Sequence, residues 1–152
     1  MHTIDVTQEQ RERHSPTEEL ETAIRTLLQC TQELRLQLQQ TALEQTAELI
    51  ESSKEDVDLV SHLRAAAVSL DGDRFEECSE RFQEHIDHVQ EVCKLLRHVA
   101  PAEALQVAAK YAEITVRIYG PQMLTATHTL SLYPTSKIAK ENFEGNAIGR
   151  RF

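Results

Sequence analysis

From Phe75 onward, apolar side chains recur at Cys78, Phe82, Ile86, Val89, Cys93 and Leu96, and every step between them is three or four residues. An α-helix turns once in about 3.6 residues, so this spacing keeps all seven on one face. A strand would scatter them over both of its faces. A stripe one face wide is stable only when it is buried against other elements, which makes this segment a core helix.

The rest of the chain repeats the pattern. Ser15-Pro16-Thr17-Glu18 combines a capping serine, a proline at the first helical position and a glutamate three residues past the cap, which is a helix start. Beyond it Leu20, Ile24, Leu27, Leu34 and Leu38 are spaced by fours and threes, with Thr31 filling the gap, and this helix is expected to run to about Glu51. A second helix is expected from Ser52-Ser53, striped by Val57, Val60, Leu63, Ala67 and Leu70 and stopped by Asp71-Gly72. Asp73 is the expected cap of the third helix, with Glu76 at the capping-box position. Pro101 is expected to open the fourth, striped by Leu105, Ala108, Ala112, Val116, Tyr119, Met123 and Leu130, with Gly120-Pro121 kinking or splitting it. Tyr133-Pro134-Thr135-Ser136 ends that helix and caps a last short one, Lys137 to Phe143.

Only four glycines and four prolines occur in 152 residues, too little turn chemistry for a sheet protein. The expected fold is all-α, an antiparallel up-and-down helical bundle with a truncated last helix. Residues 1–14 have few apolar positions and are expected to be a disordered lead-in. The bundle region spans 15–144, and a flexible tail spans 145–152.

Net charge is −9, and the acids are concentrated in the first two thirds of the chain. An acidic surface repels phosphate backbones, so nucleic acid is not an expected partner. No apolar run approaches the ~20 residues of a membrane span, so no membrane insertion is expected. The first fourteen residues show no secretory signal pattern. Cys30, Cys78 and Cys93 are odd in number and far apart, which suits buried thiols in a reducing compartment. A cytoplasmic location follows as the expectation.

Candidate chemistry is sparse. His85 and His88 lie three apart on the third helix beside Glu84, Asp87 and Glu91, and helical bundles can host di-metal sites. That chemistry needs Glu-x-x-His on two helices, whereas Phe82 stands three before His85 and His85 three before His88. The pair therefore reads as solvated or rim-facing. Cys78 and Cys93 fall in the core stripe as small hydrophobes, with no base nearby in sequence to activate them. His98, in the last helical turn, suits the helix dipole. No phosphate loop, nucleophile elbow or zinc helix signature occurs. No enzyme activity, catalytic residue, metal or cofactor is expected.

Two stretches carry a family likeness. One is Leu132-Tyr133-Pro134-Thr135-Ser136-Lys137-Ile138-Ala139-Lys140-Glu141-Asn142, preceded by Gly120-Pro121-Gln122. The other is Phe82-Gln83-Glu84-His85 followed by Val89-Gln90-Glu91-Val92-Cys93-Lys94-Leu95. With Leu20 to Ile24 and Glu33 to Leu38 upstream, residues 18 to 144 resemble the middle, modulatory region of the α-catenin/vinculin family. Val89 to Val99 leans toward an α-catenin-like branch rather than α-catenin itself.

The resemblance implies a non-enzymatic cytoskeletal and cell-adhesion scaffold, with partners among adhesion or cytoskeletal proteins and Rho-pathway regulators. Actin filament linkage is implied by the family only, and direct actin binding is not expected without the family's C-terminal bundle. The family's closing helix continues after Lys-Glu-Asn with a tryptophan-bearing apolar stretch, whereas here Gly145-Asn146 follows Phe143-Glu144. The likeness thus implies a fragment or short form. The missing apolar residues would each contribute on the order of 1.5–3 kcal/mol of burial, so the first helix is expected to fold back over the gap, or a partner to fill it. Leu20, Ile24, Leu27, Leu34, Leu38, Leu105, Val116 and Tyr119 are the candidate partner-binding residues. The alternative is a helical dimerisation or coiled-coil module without an adhesion role, a homodimer built on the Leu20–Leu38 stripe.

Overall fold

A computed structural model describes residues 3–55 and 59–148, with side chains for 16–52 and 59–147. Five helices and no strand occur among the described residues: α1 (Thr3–Glu55), α2 (Leu59–Val68), α3 (Gly72–Val99), α4 (Glu103–Leu132) and α5 (Lys137–Ile148). The chain divides into two units, Met1–Gln40 and Thr41–Phe152. The first consists of the N-terminal part of α1.

In the second unit, consecutive helices joined by turns of a few residues must run antiparallel, and the result is an up-and-down bundle. Leu59, Leu63 and Ala67 of α2, Phe82 and Ile86 of α3, Met123 and Leu130 of α4, and Ala139 and Phe143 of α5 make one core cluster. Toward the α3–α4 turn a second cluster joins Val92, Leu96, Val99 and Ala109 to Ala42 of α1, with Leu49 packed against it. Cover for α3 and α4 is therefore shared between short α5 at one end and the stretch of α1 beyond Thr41 at the other. α3 and α4 approach closely at Gly120, where an added Cβ would lie 2.7 Å from Ile86 Cδ1. A glycine there allows the two backbones to come that near.

Local signals explain the boundaries. Asp71 caps α3, its Oδ1 accepting from the Arg74 amide at 3.2 Å, so the cap is Asp71 rather than Asp73, and Gly72 opens α3 instead of stopping α2. Pro101 stands just ahead of α4, whose cap position is Ala102. Ser136 caps α5 by accepting from the Ala139 amide at 3.3 Å. Leu70, between α2 and α3, has φ 62° and is 81% exposed.

Several elements differ from the sequence expectation. α1 begins at Thr3 and carries Pro16 inside it. Gln8 to Arg13 are strong helix formers, which lets the helix extend through a proline that removes one backbone bond. Residues 3–14 are thus helical rather than a disordered lead-in. α1 also continues through Ser52-Ser53 to Glu55. α2 buries Leu59, Leu63, Ala66 and Ala67, so Val60 and Leu70 face outward, and Val57 lies outside the described residues. α4 is not split by Pro121. α5 runs to Ile148, so 145–148 continue the helix, with the Asn146 side chain donating to the Asn142 carbonyl at 2.9 Å. Residues 149–152 lie outside the described residues.

Candidate partner-binding faces

In the first unit every residue from 16 to 38 is exposed. The helix persists there because Leu, Glu, Gln and Arg supply most of it and local bonds support it. Gln29 donates to Glu33 at 3.1 Å, and the Thr31 hydroxyl donates to the Leu27 carbonyl at 2.7 Å. Leu20, Ile24, Leu27 and Leu34 are all at least half exposed, and Leu38 is 37% exposed. Leu28 and Leu36 are exposed too. They fall off the alternating spacing, so stripe reading alone misses them. Leu28, immediately after Leu27, widens the apolar face.

The second unit holds the other three candidates, all on α4. Leu105 is 38% exposed. Val116 packs against the larger core cluster and Tyr119 is half-buried, so both sit at the edge of the core. The more open apolar side chains of α4 are Val107, Tyr111, Ile118 and Leu132, which follow one another at steps of four, seven and fourteen residues. That spacing marks a second helical face that a search for the core stripe passes over.

Among the described residues no group of three or more His, Cys, Asp or Glu side chains could hold a metal ion. His85 is half-buried and His88 exposed. Cys93 is buried in α3; burial, and then the Glu113 carboxylate, push its thiol above the ordinary 9.0. A thiol held protonated is a poor nucleophile. Glu113 in turn pairs with Arg97 at 3.0 Å, joining α4 to α3. Cys78 is half-buried, but Cys30 is exposed. A shallow depression lined by Pro121, Gln122, Thr125, Ala126, Asn142 and Asn146 lies between α4 and α5. It contains no titratable side chain. No described helix is long and apolar enough to cross a membrane.

Comparison with known proteins finds relatives across most of the chain. The chain is 33% identical to mouse α-catulin over 134 residues, which is 88% of this chain and 18% of that protein. It is likewise 33% identical to human α-catulin over 130 residues, 86% of this chain and 18% of that one. Drosophila catenin alpha is 28% identical over 124 residues, 81% of this chain and 13% of that protein. The chain thus spans about a fifth of the length of the α-catulins it matches. No family model and no solved structure matches it. Across nearly its whole length, the chain is a relative of the α-catenin/vinculin family, similar to a segment of α-catulin.

Proposed function

We propose that this chain is a non-enzymatic scaffold segment of the cytoskeletal and cell-adhesion kind, which binds protein partners through amphipathic helix faces. The observation that carries the reading is its kinship with α-catulin over 88% of its residues. Two features support it. The second unit is a bundle whose described Asp, Glu, Lys and Arg side chains are exposed or, for Arg97 and Glu113, paired across α3 and α4. The first unit offers an exposed apolar stripe, Leu20 to Leu38, as a partner-binding helix does. A cytoplasmic location, with partners among adhesion, cytoskeletal or Rho-pathway proteins, belongs to the same reading.

Affinity capture from a cytoplasmic extract tests it, comparing the native chain with a variant carrying Leu20→Glu, Leu27→Glu and Leu34→Glu. These positions are exposed, so the variant retains the native circular dichroism spectrum. Adhesion or cytoskeletal proteins are expected on the native chain and lost on the variant. Recovery of the same proteins by both, or of none by either, refutes the stripe as a scaffold surface.

A further inference from the structure

The steps of four and three from Leu20 to Leu38 define the seam of a coiled coil: Leu20, Leu27 and Leu34 occupy one seam position, and Ile24, Thr31 and Leu38 the other. Glu21, Leu28 and Arg35 flank the first position, and Ala23, Cys30 and Gln37 flank the second. All are exposed. The residues that flank such a seam decide which partner, and which orientation, it accepts.

Two copies of α1 side by side can be parallel or antiparallel. The parallel arrangement sets Thr31 against Thr31 inside the seam. It also leaves Arg35 beside Cys30 and brings no opposite charges together. In the antiparallel arrangement that places Ile24 opposite Leu34, Leu20 falls opposite Leu38 and Leu27 opposite Thr31, so every seam layer contains at least one leucine. In that register Glu21 of each copy meets Arg35 of the other, once at each end. Leu28, unexplained by the stripe, meets the other Leu28 at the centre. The exposed apolar face and its flanking charges are thus complementary to themselves when reversed.

We propose that the first unit pairs with a second copy of this chain through an antiparallel coiled coil of residues 20–38, keyed by the two Glu21–Arg35 ion pairs. The inference rests on the stripe being a binding face, and it names the occupant. It is one way a scaffold segment joins two assemblies.

The test is the molar mass of the full chain by light scattering and sedimentation between about 1 and 300 μM, the range suited to so small an interface. A concentration-dependent dimer is expected. Leu27→Glu with Leu34→Glu makes it monomeric without changing the melting of the bundle. Arg35→Glu alone replaces two attractions by two repulsions and raises the dimer Kd roughly five- to thirtyfold. Glu21→Arg combined with Arg35→Glu restores the native Kd within about threefold. Within one helix the two residues are fourteen positions apart, about 21 Å, so this rescue arises only between antiparallel copies. A chain monomeric throughout, a dimer indifferent to the stripe variants, or a double swap no better than the single one overturns the proposal. If the chain is monomeric yet captures partners through the stripe, the scaffold reading stands and the self-pairing falls. If it does neither, both fall.

Discussion

Replacing Gly120 by alanine ordinarily stabilises a helix, by about 1 kcal/mol. Here the added Cβ would lie 2.7 Å from Cδ1, 3.0 Å from Cγ2 and 3.1 Å from Cγ1 of Ile86. Carbon atoms prefer roughly 3.5–4.0 Å, so three contacts are short by about 0.4–0.8 Å or more. Cδ1 can swing away, but Cγ1 and Cγ2 are both fixed by a stiff β-branched χ1, and Ile86 is buried. Relief then requires α3 and α4 to separate, an overpacking cost of about 1–3 kcal/mol. Set against the propensity gain, Gly120→Ala is expected to destabilise by roughly 0–2 kcal/mol. The sign is sharper in an Ile86→Ala background, where all three clashing atoms are gone. There the same change is expected to stabilise by about 1 kcal/mol, giving a coupling of about 1–3 kcal/mol. Urea unfolding of the four proteins, followed by circular dichroism, measures it. A Gly120→Ala effect of about +1 kcal/mol in both backgrounds would refute the close approach of the two helices.

Phe143, 2% exposed in α5, joins the core formed by α2, α3 and α4. Phe143→Ala is expected to cost about 3–5 kcal/mol in the same unfolding assay, and a loss below about 1 kcal/mol would mean α5 is not docked. With a thiol reagent at pH 8, exposed Cys30 is expected to react at once and Cys93 only as fast as the chain unfolds. The raised Cys93 pKa means the folded state keeps its proton longer, so this thiol takes nothing from stability below 9.0 and weakens the fold as pH rises beyond it. Cys93→Ala is expected to lessen that alkaline loss, and an identical alkaline slope in both proteins would contradict the assignment.

How much of this was readable in the residues differs by element. The α3 stripe identifies Phe82, Ile86, Cys93 and Leu96 as core, because a helix packed on two sides obeys its own period closely. Val92 and Val99 are also buried, and they escape the stripe because α1 and α4 cover a wider arc of α3 than one seam. In α2 the phase slips from Leu59 to Val60 once Leu70 is counted as an anchor; its left-handed backbone takes Leu70 out of the helical period. The α1 stripe is legible as a pattern, but its exposure is not, because cover depends on what packs against a helix. The caps at Ser136 and Asp71 lie in turn-rich sequence, yet Asp71-Gly72 reads equally well as a stop or a start.

Leu70 has a consequence for the turn between α2 and α3. A leucine held at φ 62° costs on the order of 1–2 kcal/mol over a right-handed residue, and at 81% exposure it recovers almost none of that by burial. It lies at the exit of α2, at ten residues the shortest helix in the bundle. The joint is nonetheless tied by local bonds: the Ser69 hydroxyl donates to the Ala66 carbonyl at 2.7 Å and accepts from the Asp71 amide at 3.2 Å. The strain is therefore confined to one exposed residue, and glycine, which adopts this backbone at no steric cost, would remove it without touching the core.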